Sequence, residues 1–503
     1  MKTRFFLVPC LFMVLSCSCS GPEKSESKPN FIFILVDDLG WADLGCYGST
    51  FHETPHIDRL AGGSLRFTDA YAACPVCSPT RASIMTGKYP ARTGITDWIP
   101  GRQAYAGPQP CDRLLSRAFE QEMKLEELTL AEALKEAGYR TFFAGKWHLG
   151  MDSAYWPEHQ GFEINKGGWS TGWPDGGYFS PWNNPRLERG PEGECLTDRL
   201  TDETIRFLEE HSREPLFVYL SFYTVHTPLQ GKPELIEKYE KKIDSIGLDR
   251  GAMETADREW IRYAAPGGRF VERIQQGHPV YASMIETLDT NVGRLMKKVE
   301  ELGLEENTII FFMSDNGGLS TAEGSPTSNL PLRAGKGWLY EGGIREPMLI
   351  RWPGSGSEGK VCHVPVTSTD FYPTILEMAG LPSRPKQHVD GISLVPLLSG
   401  EGALDDRPLF WHYPHYPNQG AKPGAAVRLG NLKLIEFFEG PSVELYDLSG
   451  DPGEQHDLSN EYPAKVKELT SLLHTWQEQV DAEGMDPNPD WDTGYVRENY
   501  LNP

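Results

Sequence analysis

Positive charge is the scarcest commodity in this chain: 48 lysines and arginines face 71 aspartates and glutamates, a formal charge of −23 over 503 residues. No basic field is available to draw in phosphates, which excludes nucleic acid as a partner. An anionic substrate would have to meet cations clustered locally, because the overall field repels it. Cysteine is sparse too. Of nine, Cys10, Cys17 and Cys19 fall in the N-terminal run, leaving Cys46, Cys74, Cys77, Cys111, Cys195 and Cys362. That is too few for a disulfide framework. No second long apolar run follows the N-terminus, so a bundle of membrane-spanning helices is excluded. Internal repeats and low-complexity tracts are missing, which removes solenoids and linker-like chains. What remains reads as a soluble globular protein, one large domain with a smaller one.

The N-terminus reads as a targeting segment. Lys2 and Arg4 precede an apolar run from Phe5 to Leu15 that is too short to span a bilayer. Val14-Leu15-Ser16-Cys17 resembles a bacterial lipobox, with cleavage before Cys17 and lipid on its thiol. An ordinary secretory signal cut near Ser20-Gly21 is the alternative. Either way the expectation is export to the periplasm or cell surface, with membrane contact only through an anchor at Cys17. Residues 1–20 are then the leader and 21–28 a polar linker. The catalytic α/β domain is expected over 29–398 and a C-terminal subdomain over 399–503.

Asn30 to Val36 (NFIFILV) is a continuous apolar run of the kind found in buried parallel strands. Arg140 to Ala144, Leu216 to Ser221, Thr308 to Met313 and Pro347 to Arg351 are similar. Helical patterns lie between them. Thr129-Leu130-Ala131-Glu132 has the form of a capping box, and Tyr281, Ile285, Leu288, Val292, Leu295, Val299 and Leu302 fall at helical spacing. The alternation predicts an α/β sandwich with a mostly parallel central sheet. After Leu398, the short runs Ala425 to Leu429, Leu432 to Phe437 and Glu444 to Tyr446 precede a helix over Pro463 to Val480. They predict a small antiparallel sheet packed with one helix.

Chemistry is concentrated at the strand ends, where open α/β sheets bind ligands. The first strand runs into Asp37-Asp38. Adjacent carboxylates repel unless a cation sits between them, although a solvated turn would also suit this sequence. Thr308 to Met313 runs into Ser314-Asp315-Asn316-Gly317-Gly318, which also suits a tight turn. Three carboxylates and an amide oxygen together match what calcium accepts. Cations follow other strands: Lys146 and His148 in Gly145-Lys146-Trp147-His148, projecting to one side if that segment is extended, and His226 after Ser221. Lys336 lies in Arg333-Ala334-Gly335-Lys336-Gly337. Each alone would read as a surface or capping residue; their positions after strands give them weight. Cys77-Ser78-Pro79-Thr80-Arg81 is an odd setting for a structural thiol. Cys74 and Cys77 have CxxC spacing, but there is no second CxxC, and a redox or zinc site leaves Pro79 and Arg81 without a role.

On these motifs the chain resembles the type I, formylglycine-dependent sulfatases of the alkaline phosphatase superfamily, in particular exported bacterial carbohydrate sulfatases and arylsulfatases. The resemblance covers nearly all of the chain after the leader. It includes Thr54-Pro55-His56-Ile57-Asp58-Arg59-Leu60-Ala61, Thr369-Asp370-Phe371-Tyr372-Pro373-Thr374 and Leu445-Tyr446-Asp447-Leu448. Thr80 stands where many members carry serine, and a hydroxyl is retained. The resemblance implies an alkaline phosphatase-like fold and a sulfuric ester hydrolase. It implies that a maturation enzyme oxidises Cys77 to formylglycine (3-oxoalanine), whose hydrate attacks sulfur. One Ca2+ per chain would be held by Asp37, Asp38, Asp315, Asn316 and the modified Cys77. Arg81 would hold nucleophile and metal in position, and Lys146, His226 and Lys336 would neutralise the sulfate oxygens. His226 would protonate the leaving alcohol, and His148 would take the proton that lets sulfate depart.

The expected partner is a sulfated glycan outside the cytoplasm, such as a glycosaminoglycan, a mucin glycan or an algal polysaccharide, with a galacto-configured sugar as one candidate. Trp169, Trp173, Tyr178, Phe179 and Trp182 crowd a loop, and Trp411-His412-Tyr413-Pro414-His415-Tyr416 lies near the domain junction. Aromatic faces on loops suit stacking on sugar rings, although packing the loops is an equal use for them. His412 and His415 join Lys146, His226 and Lys336 as expected substrate-binding residues. Two rival readings stay open. One is a phosphate or phosphonate monoester hydrolase of the same superfamily; the other is a non-catalytic glycan-binding lipoprotein.

Overall fold

A computed structural model describes Met1 and residues 28–248, 254–255, 272–400, 402–440 and 442–492. The leader and the candidate lipidation site Cys17 lie outside the described residues. Along the chain the large sheet takes β1 (Asn30–Val36), β2 (Leu65–Tyr71), β3 (Arg140–Gly145), β4 (Ile164–Lys166) and β5 (Leu216–Ser221), then β6 (Thr308–Ser314), β7 (Arg345–Arg351) and β8 (Val361–Cys362). Between them lie α1 (Pro55–Gly62), α2 (Cys77–Thr86), α3 (Leu130–Glu136), α4 (Leu196–His211), α5 (Pro279–Glu301) and, after β8, α6 (Phe371–Met378).

The spatial order is β8-β2-β7-β6-β1-β5-β3-β4, and a short ninth strand, Val366–Thr367, also pairs with β2. β1 lies between β5 and β6 and runs parallel to both. β7 is the reversed strand, antiparallel to β6 and β2. Burial explains why β1 is apolar at every position. Phe31, Phe33 and Leu35 face one layer with Tyr219, Phe311 and Phe371, while Ile32, Ile34 and Val36 face the other with Leu288, Val292 and Leu295 of α5. Each such side chain contributes about 1.5–3 kcal/mol on burial. The Thr129 capping box forms as its sequence requires, with Glu132 N–H donating to the Thr129 hydroxyl.

The C-terminal part forms an antiparallel sheet of β9 (Leu409–Tyr413), β10 (Gly424–Leu429), β11 (Leu432–Phe437) and β12 (Ser442–Asp447), followed by α7 (Pro463–Gln479). Strand alternation divides its contacts. Phe410, Val427 and Leu434 pack on Leu469, Leu473 and Trp476 of α7. Trp411, Tyr413 and Ile435 pack on Tyr71, Val76 and Trp338 of the large domain. Buried ion pairs reinforce that junction: Lys433 Nζ lies 2.9 Å from carboxylate oxygens of both Glu341 and Glu454.

Candidate active site

Four carboxyl-terminal strand ends converge. β1 delivers Asp37 and Asp38, β6 delivers Asp315 and Asn316, β3 leads to Lys146, and β5 ends at Ser221 shortly before His226. All of these except His226 are fully or almost fully buried. The chain turns sharply after β1 because Asp38 takes a left-handed backbone, φ 61°, which aspartate tolerates better than most residues.

Each carboxylate meets a cation. Lys146 Nζ lies 2.9 and 2.7 Å from the two oxygens of Asp37. Lys336 Nζ lies 2.8 and 2.9 Å from those of Asp38. Arg81 grips Asp315 Oδ2 through Nε at 2.9 Å and Nη2 at 2.6 Å. Its Nη1 donates to the Lys146 carbonyl at 2.8 Å and to Ser221 Oγ at 2.7 Å. Asn316 Nδ2 donates to Asp38 Oδ1 at 2.8 Å, while Asn316 Oδ1 is buried without a hydrogen-bond partner among the described residues.

Cys77 is the first residue of α2, so Arg81 stands on the same helix face one turn later. Pro79 falls within the first turn, where the missing N–H costs no helical bond. Thr80 uses its hydroxyl to hold the Cys74 carbonyl at 3.1 Å, and Ser78 Oγ accepts from Ile99 N–H at 3.1 Å. Ligand atoms of Asp37, Cys77 and Asp315 all lie within 4.8 Å of one another. Burial raises the Cys77 pKa, and Lys146 and Lys336 do not offset it. The residue is therefore a protonated thiol, not a ready thiolate.

Electrostatics in the cluster pull the two adjacent carboxyl groups in opposite directions. Burial pushes Asp37 well up; Lys146 opposes this, while Asp315 and Asp38 add to it. Asp38 goes down despite burial because Lys336 and His226 face it. Burial works against the Lys336 ammonium, yet Asp38 and its neighbours hold its pKa well above the usual value. Lys336 is aimed by close backbone packing: its N–H donates to the Gly318 carbonyl at 3.1 Å, and a Cβ on Gly317 would meet the Gly342 oxygen at 1.9 Å.

The histidines differ from the extended-segment expectation. β3 ends at Gly145 and His148 takes a left-handed φ of 58°, so Lys146 and His148 do not project as strand neighbours. His148 Nε2 lies 2.6 Å from the Ile99 carbonyl, which can only accept, so Nε2 carries the proton. Its Nδ1 is buried and has no partner among the described residues. Burial and then Lys146 hold His148 well below the usual histidine pKa. His226 donates from Nδ1 to the Thr227 carbonyl at 2.7 Å, leaving Nε2 as an acceptor 3.8 Å from Asp38 Oδ2. Burial and Lys336 bring it down to about 3.

The structure does not bring His412 to this cluster. His412 alternates with Trp411 and Tyr413 on β9 and so faces α7, where Nε2 meets the Glu483 carbonyl at 2.8 Å and Nδ1 meets Gln477 Nε2 at 3.2 Å. His415 is buried beside Thr96, Nε2 to Oγ1 2.8 Å, on the wall of a cavity of about 570 Å3 shared with Asp97, Gln103, Phe119 and Tyr416. Tyr178 and Trp182 belong to the core, whereas Trp173 is exposed. Ser221, which fixes Arg81, carries no sequence signal beyond its place at a strand end.

A parallel sheet with three carboxylates, an amide, two ammonium groups and a thiol gathered at its carboxyl edge defines a class: an α/β enzyme built to handle an anionic ester. The sulfatase family model matches residues 29–381, and the model for the C-terminal region of N-sulphoglucosamine sulphohydrolase matches 334–482. Human arylsulfatase A is 34% identical, over 90% of this chain and 88% of that protein. N-acetylgalactosamine-6-sulfatase of Canis lupus familiaris is 32% identical, over 93% and 90%. The crystal structure of Ps i-CgsB in complex with k-i-k-neocarrahexaose superposes with a TM-score of 0.72 at 28% identity, covering 94% of this chain and 96% of that one. The chain belongs to the sulfatase family, and it is a sulfatase.

Proposed function

We propose that the protein removes sulfate from a sulfated carbohydrate outside the cytoplasm, using a formylglycine derived from Cys77 and one calcium ion. The observation that carries this reading is the placement of the Cys77 side chain at the start of α2, within 4.8 Å of Asp37 and Asp315 ligand atoms. A protonated, buried thiol is a poor nucleophile there, so attack on a sulfate ester from this position would need a different group. The relatives named for arylsulfate and N-acetylgalactosamine 6-sulfate chemistry support a sulfate ester, and a galacto-configured sugar in particular.

Asp37, Asp38, Asp315 and Asn316 would hold the calcium ion together with the modified Cys77. Two features favour that fit: Asn316 Oδ1, which has no hydrogen-bond partner among the described residues, and the rise of Asp37, which burial and then the two neighbouring carboxylates Asp315 and Asp38 impose against Lys146. When bound, calcium would supply positive charge to the sulfate oxygens and the nucleophile, and formylglycine would supply, as its hydrate, a hydroxyl nucleophile with a second hydroxyl for release. The chain's own groups do the rest. Lys146 and Lys336, already aimed into the cluster by Asp37 and Asp38, bind the sulfate oxygens. Arg81 holds Asp315 in place through its two-point grip. His226 carries the proton at Nε2 to the leaving alcohol; the negative charge of a bound sulfate ester raises its affinity for that proton. His148, with Nε2 tied to Ile99, receives a proton at Nδ1. Export follows from the leader and its candidate lipid anchor at Cys17.

The test is sulfate release from defined sulfated saccharides and from paired aryl sulfate and aryl phosphate, by protein co-expressed with a maturation enzyme. Sulfate release that Cys77→Ala abolishes is expected. Faster phosphate turnover, or full activity in Cys77→Ala, would overturn the proposal.

A further inference from the structure

Glu323 lies in the loop between Asn316 and Lys336 and is partly exposed, on a left-handed backbone of φ 53°. A non-glycine residue held in that region is uncommon and marks a position fixed by its surroundings. Its carboxylate bridges two elements. Oε1 accepts from Gln419 Nε2 at 2.7 Å, and Oε2 accepts from Thr227 Oγ1 at 3.3 Å. Thr227 is the neighbour of His226 and holds His226 Nδ1 through its carbonyl. Gln419 packs against Gly337, the neighbour of Lys336: a Cβ on Gly337 would lie 2.8 Å from Gln419 Oε1. Lys336 is close enough for its charge to oppose the rise that burial imposes on the Glu323 pKa. Glu323 is thus bracketed by the residues next to His226 and Lys336, and nothing in the sulfate-handling chemistry requires it.

For an ester held by Lys336 with its bridging oxygen toward His226 Nε2, Glu323 is a side chain placed to meet the sugar, because its partners Thr227 and Gln419 adjoin His226 and Gly337. A carboxylate has about four acceptor positions, and Gln419 and Thr227 occupy two. The remaining positions suit a hydroxyl donor and repel a second anion. Building on the proposed sulfatase mechanism, we infer that Glu323 is a specificity-determining residue: it accepts a hydrogen bond from a free sugar hydroxyl beside the scissile sulfate and discriminates against substrates with a second sulfate there.

The test compares kcat/KM of wild type, Glu323→Gln and Glu323→Ala on three probes: 4-nitrophenyl sulfate, galactose and N-acetylgalactosamine monosulfates, and their disulfates on adjacent carbons. Glu323→Gln keeps the side-chain volume, and an unchanged melting temperature certifies the fold. Glu323→Ala provides the second variant. Losing a hydrogen bond to a charged group predicts about a 10- to 100-fold loss on the best monosulfated sugar. The aryl ester, which has no hydroxyl, stays within about threefold, because the lost bond is one it never makes. The ratio of disulfate to monosulfate turnover rises. A parallel loss on the aryl ester would mean that Glu323 acts by positioning His226 through Thr227, and would overturn the inference. So would unchanged sugar kinetics, or a wild type that cleaves the aryl sulfate but no sugar. A wild type inactive on every sulfate ester would bring down the proposed function itself and this inference with it.

Discussion

Replacing Arg81 with methionine exposes how the carboxylate cluster is balanced. Arg81 is 2% exposed and spends its guanidinium on Asp315, the Lys146 carbonyl and Ser221. The carbonyl keeps a partner after the change, since Ser221 Oγ also donates to it at 2.8 Å. Asp315 does not fare so well. It loses both of its guanidinium bonds and remains buried beside Asp37, so the cost is that of an uncompensated buried charge, about 3–5 kcal/mol. A bound divalent cation would neutralise the same carboxylate. The loss measured in urea with a chelator present is therefore expected to shrink when calcium is added in excess, because the unpaired Asp315 of the variant would bind the cation more tightly than wild type does and so gain more stability from it by mass action. Arg81→Lys keeps the charge without the fork and should fall between the two. A chelated Arg81→Met protein within about 1 kcal/mol of wild type would refute the reasoning, since that is the range of an exposed ion pair. Identical losses with and without calcium would refute it as well.

Two further outcomes follow from packing and titration. Asp97 is buried, and burial raises its pKa to about 7 despite the hydrogen bond from Tyr413. The native state therefore holds a proton that the unfolded state releases, and stability should fall as pH rises from about 4 to 7. Asp97→Asn should flatten that slope in pH-dependent urea unfolding; an unchanged slope would count against the assignment. Gly317→Ala should destabilise by about 1–3 kcal/mol, because the new Cβ would collide with the Gly342 carbonyl that packs the Lys336 loop. A neutral melting temperature would contradict that close approach.

Much of this architecture is readable in the sequence because burial leaves a periodic mark. β1, β5 and β6 are apolar at successive positions since helices cover both faces, and the polar residues that end them stand out against that background. The reversal of β7 leaves no such mark, because a strand buried on both sides looks alike in either direction. Trp411-His412-Tyr413 reads as an aromatic loop but forms a strand. Its alternation then sends Trp411 and Tyr413 to the domain junction and His412 to α7, away from the cluster. The local bend at His148 depends on a left-handed backbone that no spacing rule announces. Glu323 and Ser221 act through partners distant in sequence, so only the fold brings them into view.

The central claim concerns one side chain, and the peptide Phe67 to Arg81 from active protein tests it most directly. Mass spectrometry is expected to find the Cys77 side chain as an aldehyde or its hydrate, CHO in place of CH2SH, with sulfate release proportional to the converted fraction. Full activity in protein whose Cys77 is entirely an unmodified thiol would contradict the account.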